Sequence, residues 1–268
     1  MTIARSVRIM GILNVTPDSF SDGGIFFDSH AALDQARILI DDGADIIDVG
    51  GESTRPYADP VTLEDELRRV IPIIRSIRSL SDITVSIDTS KAEVARQALG
   101  AGADIINDVS ALRNDPAMID VVRQSNAELI IRHIQGTPGT MQDAPHYDDV
   151  VEDVLSFFRE RLDFLEAEGI DLNRVIIDPG IGFGKKLEHN LQLLNRLERL
   201  GELGRPVLLG HSRKRFLGDL TGLEADQRDA ISSVVSALSL DKNISVVRVH
   251  DVAATREAIT VARAIKLA

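Results

Sequence analysis

Apolar residues in this chain gather into short runs dominated by Val and Ile, at residues 7–13, 45–49, 83–87, 104–106, 128–131, 174–177, 206–209 and 245–249. Within each run the apolar character is nearly continuous, the pattern of strands buried on both faces of a parallel sheet. Between the runs the spacing changes to that of helices. Leu63, Leu67, Val70, Ile74 and Ile77 recur at intervals that line one face of a helix. Thr62 followed three residues on by Asp65 predicts its N-terminal capping pair, and Pro72, lacking a backbone donor, predicts a kink. A helix over 148–168 puts Val151, Val154, Phe158, Leu162 and Leu165 on one side. Asp115 and Pro116 predict the N-cap and first residue of the helix that follows the fourth strand.

Strand and helix alternate eight times. That predicts an α/β fold, a single (β/α)8 barrel domain spanning residues 1–268, close to the roughly 250 residues such barrels use. An open doubly wound sheet is the second architecture. An internal echo supports repetition: Gly43-Ala44-Asp45-Ile46-Ile47-Asp48 returns as Gly102-Ala103-Asp104-Ile105-Ile106-Asn107, each time between a helix and a strand. The helix-to-strand turns are brief and carry Gly43, Gly100, Gly102, Gly169 and Gly204, suited to left-handed helix ends. The strand-to-helix segments 14–29, 50–61 and 134–147 are long, and long ordered loops in a compact domain usually carry function. All three follow strands, so the C-terminal ends of the strands form the predicted active face.

Charge narrows the ligand. Thirty Lys and Arg against 42 Asp and Glu give a net charge of −12, which argues against nucleic-acid or anionic-membrane binding. An anionic substrate would need a locally basic site in this acidic field. The chain has no cysteine, which excludes disulfides, thiolate zinc sites and Cys nucleophiles and fits a reducing cytoplasm. Arg5 and Arg8, then a short apolar stretch interrupted by Asn14, match a signal peptide poorly, and no apolar run approaches the ~20 residues of a membrane-spanning helix.

The residues that end the strands are Asn14, Asp48, Asp88, Asn107, His133, Asp178, Ser212 and His250, a set expected to converge on one mouth. Individually each suits a cap or turn; together, so many desolvated polar groups call for partners. Asp88, Asn107 and Asp178 have the acceptors and donors to read the edge of a flat nitrogen heterocycle. Arg55, Ser212, Arg213, Lys214, Arg248 and His250 supply the opposite chemistry, an anion site, with Arg248 and His250 on one side of strand eight by their period-two spacing. The segment Gly180-Ile181-Gly182-Phe183-Gly184-Lys185 lacks the spacing of either nucleotide-binding glycine motif, and no HExxH or paired-His metal pattern occurs. His30, His146 and His189 read as surface or capping residues.

Several blocks together resemble a known family. They are Gly11 to Gly24 (Gly-Ile-Leu-Asn-Val-Thr-Pro-Asp-Ser-Phe-Ser-Asp-Gly-Gly), Asp48 to Pro56 (Asp-Val-Gly-Gly-Glu-Ser-Thr-Arg-Pro), Ser86-Ile87-Asp88-Thr89, Asn107-Asp108, Gly136-Thr137-Pro138 with Thr140-Met141-Gln142, Asp178-Pro179-Gly180, Ser212-Arg213-Lys214 and Arg248-Val249-His250-Asp251. In this order, over nearly the whole chain, the sequence resembles the dihydropteroate synthases of folate biosynthesis. The resemblance implies a (β/α)8 barrel, a cytoplasmic homodimer, a Mg2+ requirement, and the joining of 6-hydroxymethyl-7,8-dihydropterin diphosphate to p-aminobenzoate.

By the same resemblance Asp88, Asn107, Asp178 and Lys214 hold the pterin, with Phe183 and Arg248 bordering it and Arg248 stacking on its plane. Asn14, Arg55, Ser212, Arg248 and His250 hold the diphosphate, Asn14 through the metal. Phe20, Thr54, Pro56 and Lys214 shape the p-aminobenzoate pocket. Asp22, Arg55 and Lys214 are the implied catalytic groups, Asp22 stabilising a pterin cation on an SN1-like route that needs no protein nucleophile. Sulfonamides, which imitate the size and anionic end of p-aminobenzoate, are expected to inhibit. Two positions depart from the family pattern: Ile134 stands where Met is common, and Arg215 where some members have Ser. Two rivals remain at this stage, a pterin-dependent methyltransferase and a non-catalytic pterin-binding homologue. The Ser212-Arg213-Lys214 and Arg248-Val249-His250 elements weigh against the first, and the presence of Asn14, Asp22, Arg55, Lys214 and His250 against the second.

Overall fold

A computed structural model describes residues 7–16, 24–53, 60–137 and 139–268. Eight parallel strands close into a barrel in sequence order: β1 (Arg8–Asn14), β2 (Ile46–Gly50), β3 (Thr84–Asp88), β4 (Ile105–Asp108), β5 (Glu128–Arg132), β6 (Val175–Asp178), β7 (Val207–Leu209) and β8 (Ile244–Val249), with β8 pairing back onto β1. The expected eight strands are all present and the sheet is closed, which removes the open alternative.

Alternation along each strand accounts for the unbroken apolar runs. Outward positions such as Ile47, Val49, Ile87, Ile106, Ile131, Ile177 and Val247 pack in one large core against the surrounding helices. Inward positions below the mouth, Met10, Ile46, Ile105, Ile130, Ile176, Leu208 and Val246, form a separate apolar plug. Both faces are therefore dry over the middle of most strands, and the acids, amides and arginines of the inner face gather toward the C-terminal ends. That layer is where the site lies.

The helices are α1 (Gly24–Asp41), α2 (Leu63–Leu80), α3 (Ala92–Ala101), α4 (Met118–Arg123), α5 (Val150–Ala167), α6 (Leu187–Asn195), α7 (Arg215–Thr221), α8 (Asp229–Leu238) and α9 (Val252–Leu267). Of the predicted face of α2, Val70, Ile74 and Ile77 are buried while Leu63, in the first turn, is exposed, and Thr62 Oγ1 accepts from Asp65 N at 3.1 Å. All five predicted inward residues of α5 are buried, capped by Asp149.

Four expectations need correcting. α1 starts at Gly24, inside the segment read as loop to 29; neither Gly nor Pro interrupts the chain from there to Asp41. Gly100 is helical, within α3. The helix after β4 starts at Met118, and Asp115 splits its carboxylate between Ala117 N (3.0 Å) and Ala92 N (2.8 Å), so it caps α3 as well. Finally, α7 is a helix beyond the eight alternations, inserted between β7 and α8.

The sequence echo is a structural repeat at the barrel floor. Gly43 and Gly102 end α1 and α3 with φ of +90° and +110°. Asp45 Oδ2 accepts from Ile9 N (2.7 Å) and Asp104 Oδ2 from Val85 N (2.9 Å), each reaching the start of the preceding strand. Arg256 and Arg78 donate to the Gly43 and Gly102 carbonyls respectively. Each arginine belongs to the helix leading into that preceding strand around the closed barrel, α9 before β1 and α2 before β3.

Candidate active site

The uppermost inward side chains of six strands join into one hydrogen-bonded chain. From β8, Arg248 donates through Nη2 to Asp88 Oδ2 on β3 (2.8 Å) and through Nε to Asp48 Oδ2 on β2 (2.6 Å). Asp48 Oδ2 also accepts from Asn107 Nδ2 on β4 at 3.1 Å. Arg132, at the end of β5, donates through Nη2 to Asn107 Oδ1 (3.3 Å) and through Nε to Asp178 Oδ2 on β6 (2.6 Å). Asp178 Oδ1 accepts from Gly180 N at 2.8 Å. Two arginines thus fix three carboxylates, and the amide between them is oriented by having its oxygen toward Arg132 and its nitrogen toward Asp48. Asp48 and Asn107 are fully buried, Asp178 and Arg132 about 1% exposed and Asp88 8% exposed. Charges this desolvated are tolerable only when paired in this way.

Glycines keep the mouth open. A Cβ on Gly50 would stand 3.5 Å from Asp88 Cβ and 3.8 Å from Asn14 Oδ1, which places Asn14 beside Asp88 at the rim. The segment 180–184, with no nucleotide-loop spacing, is a tight turn. Gly180, Gly182 and Gly184 all have positive φ. A Cβ on Gly180 would lie 1.9 Å from the His133 carbonyl oxygen, and one on Gly184 2.7 Å from that of Gln135. This turn carries Phe183, buried in a small cluster with Val109, Ile134 and Met141. The Phe183 ring centroid is 4.0 Å from Lys214 Nζ and 4.8 Å from the Arg132 guanidinium carbon. Ile134 therefore supplies the apolar backing of Phe183.

At the ends of β7 and β8, Ser212 Oγ lies 2.9 Å from His250 Nδ1 and accepts from His250 N at 3.2 Å. Either the hydroxyl donates to Nδ1, leaving the ring hydrogen on Nε2, or Nδ1–H donates to Oγ, leaving the hydroxyl hydrogen free; in both arrangements the pair has one hydrogen left to donate. Burial, reinforced by Arg213 and Arg248, pushes His250 down to about 3, so the ring is neutral. Burial also dominates three other groups. Asp88 is raised to about 6, with Arg248 pulling it down and Asp48 pushing it up. Lys214 is lowered to about 7 by burial and by Arg132 and Arg248. Lys185 falls to about 7 by burial, opposed by Asp178.

The structure therefore assembles Asn14, Asp88, Asn107, Asp178, Phe183, Ser212, Lys214, Arg248 and His250 at the C-terminal face. Phe20, Asp22, Thr54, Arg55 and Pro56 lie outside the described residues. Two residues leave the expected set, and Arg215, a departure from the family pattern, stays outside it. His133 is one position past the inward parity of β5; its ring packs edge-on against Phe157 at 4.9 Å, and its Nδ1 meets Lys185 Nζ at 2.9 Å. Arg213 is neutralised by a two-pronged pairing with Asp229 at 2.7 and 2.6 Å. Arg215 is exposed and 3.5 Å from Asp219 one turn along α7.

Sequence reading passed over Arg132 and gave Asp48 no role in the site. The signal that would have found Arg132 is parity: Ile130 and Arg132 repeat the inward apolar-then-polar step of Ile105 and Asn107, and of Ile176 and Asp178.

Comparisons with known proteins agree with this geometry. Residues 10–250 match the family model described as pterin binding enzyme. A dihydropteroate synthase of Synechocystis sp. is 44% identical over 263 residues, 97% of this chain and 91% of the relative. Among solved structures, the Yersinia pestis dihydropteroate synthase in a sulfonamide drug complex superposes with a TM-score of 0.93 at 40% identity, over 100% of this chain and 97% of that one. The Xanthomonas albilineans dihydropteroate synthase in complex with 7,8-dihydropteroate gives 0.90 at 46% identity, over 100% and 96%. With its closed barrel, its acid-and-amide mouth and these relatives along nearly its full length, the chain belongs to the dihydropteroate synthase family of pterin-binding enzymes.

Proposed function

We propose that this protein joins 6-hydroxymethyl-7,8-dihydropterin diphosphate to p-aminobenzoate, forming 7,8-dihydropteroate and releasing diphosphate. The observation that carries the reading is the continuous chain from Asp88 through Arg248, Asp48, Asn107 and Arg132 to Asp178. It presents fixed carboxylates and an amide to the edge of a nitrogen heterocycle. Asn107 still has one N–H and one lone pair to give, and each carboxylate has further lone pairs. Arg248, with Nε and Nη2 committed to Asp48 and Asp88, is held flat, which suits stacking on the pterin plane.

The chemistry follows from charge. The bond between the pterin methylene and the diphosphate oxygen breaks, its electron pair leaving with diphosphate. The electron-rich ring supports the resulting cation, and the aromatic amine attacks it, forming the C–N bond and then losing a proton. The Arg248 guanidinium and the one hydrogen that the Ser212–His250 pair leaves free provide donors for the leaving group, and Lys214 a cation between the two substrates. Arg55 and Asp22 keep the catalytic roles that the resemblance gives them, and Phe20, Thr54 and Pro56 their place around p-aminobenzoate.

Among the described residues no three acidic, imidazole or thiol side chains gather into a cage for a cation. A single hard oxygen at the rim, Asn14 Oδ1, is the kind of ligand Mg2+ accepts alongside waters and substrate phosphates. Asn14 would hold it, and when bound the ion would neutralise diphosphate charge. A homodimer is supported by the apolar outer faces of α8 and α9, packed side by side, where Val234, Leu238, Val261 and Ile265 are all more than half exposed. Among the described residues no helix is long and apolar enough to cross a membrane, which is compatible with a cytoplasmic site of action.

The test supplies pterin diphosphate, p-aminobenzoate and Mg2+ and measures diphosphate and 7,8-dihydropteroate together. Product is expected from the wild type, with loss in Lys214→Ala and Asp178→Ala and much slower turnover in Arg55→Ala. Sulfonamides are expected to compete with p-aminobenzoate. Full activity in both Lys214→Ala and Asp178→Ala would overturn the site assignment.

A further inference from the structure

We propose that Lys185 is a positioning residue for pterin binding: its ammonium ties Gly180, Phe183 and His133 together and so sets the Phe183 ring against Lys214 and Arg132. The inference rests on the reading of the mouth as a pterin site.

Lys185 is 3% exposed and makes no ion pair among the described residues. Its Nζ donates to Gly180 O (3.0 Å), Phe183 O (3.0 Å) and His133 Nδ1 (2.9 Å). In its protonated form Nζ has three hydrogens, and these three acceptors use all of them. Two of the acceptors are the first and fourth residues of the turn that also closes on itself through Phe183 N to Gly180 O at 3.0 Å. The third belongs to the segment leaving β5, where the His133 ring is gripped by Phe157.

A lysine is an unusual choice for such a post, because burying its charge costs more than any apolar side chain would. What it gains is three convergent donors in one atom, which no apolar residue supplies. The turn needs them. Three positive-φ glycines in five residues give it little conformational preference of its own. The other ties hold its flanks: Gly182 N to Asn190 Oδ1 (2.7 Å), Gln142 Nε2 to Gly182 O (2.9 Å) and Tyr147 OH to Gly184 O (2.8 Å). Lys185 alone binds the carbonyl of Phe183 itself among the described hydrogen bonds. Lys214, in turn, lies along Gly182, whose Cβ would come within 3.0 Å of Lys214 Cδ. A shift of the turn therefore moves the ring and the cation it supports together. Lys185 acts from behind Phe183, through it.

The test is a double-mutant cycle on the full chain, with 6-hydroxymethylpterin as the probe and its dissociation constant read from quenching of pterin fluorescence. Lys185→Met is expected to weaken binding about tenfold, as is Phe183→Leu. In the combined variant the loss should stay within about twofold of the worse single change, because coupled residues are non-additive. A purely structural lysine would instead give losses that multiply. Should Lys185→Met fail to fold, His133→Phe keeps the ring against Phe157 but removes one acceptor. It is expected to weaken the probe about threefold, with no further loss in the Phe183→Leu background. Binding within twofold of wild type in Lys185→Met, unchanged binding in His133→Phe, or multiplying losses in either cycle would overturn the inference. A wild type that does not bind the pterin would overturn both this inference and the function on which it rests.

Discussion

Arg132 offers the sharpest trial of the hydrogen-bonded chain at the mouth. Replacing it with Met keeps an unbranched side chain of similar length and removes the guanidinium. Asp178, about 1% exposed, then loses its 2.6 Å partner and keeps the Gly180 N–H at 2.8 Å, while Asn107 Oδ1 loses its 3.3 Å donor. Breaking a buried ion pair from one side typically costs about 3–5 kcal/mol, most of it the price of a charge left without compensation. With a urea slope of ~3 kcal/mol per M, at the upper end of the usual range, the denaturation midpoint should fall by about 1–1.7 M. The assay is a urea melt followed by circular dichroism at neutral pH, with pterin binding measured on the folded variant. Adding Asp178→Asn to Arg132→Met removes the orphaned charge and should recover at least half of the lost midpoint. A shift below about 0.3 M in the single variant would refute the pairing argument. So would a double variant less stable than Arg132→Met alone.

Further outcomes are expected on the same grounds. Asp88 is raised from 3.8 to about 6, so between those values the folded chain holds a proton the unfolded chain has released. Its contribution therefore stabilises the fold at low pH and is lost as pH rises to about 6; Asp88→Asn should flatten that part of the stability–pH curve, and an unchanged curve would count against it. Burial beside Arg132 and Arg248 lowers Lys214 to about 7, so its positive charge fades as pH rises through neutrality. Diphosphate affinity, followed by calorimetry, should weaken across that range in the wild type and not in Lys214→Met. Ser212→Ala leaves His250 Nδ1 without its 2.9 Å partner and should weaken diphosphate binding about tenfold, the order of one lost buried hydrogen bond, with pterin affinity unchanged. Gly180→Ala would set a methyl 1.9 Å from the His133 carbonyl at a φ of +68° and should lower stability by at least ~2 kcal/mol, measured by thermal melt.

The barrel is written in the local pattern of the chain. Continuous Val and Ile runs appear wherever a strand is dry on both faces, and helix periodicity is explicit in α2 and α5, so eight alternations were legible from local pattern alone. Most of the mouth is legible too, because acids, amides and basic residues stand out against the apolar runs near their C-terminal ends. Motif resemblance then implies Asp88, Asn107, Asp178, Lys214 and Arg248 around a pterin and His250 at its diphosphate. Which polar residues point inward is settled by the closure of the sheet and not by local pattern. His133 and Arg132 are adjacent, and one residue of register sends the first to Phe157 and Lys185 and the second to Asp178. Arg213 reads as a phosphate-binding cation until Asp229, sixteen residues on, is seen to neutralise it. Lys185 reads as the end of a glycine-rich segment until its three acceptors are brought together from two separate loops. Local spacing encodes burial, since burial repeats along the chain. Pairing between distant strands leaves no such repeat, because the partners of a buried charge are set by closure of the sheet.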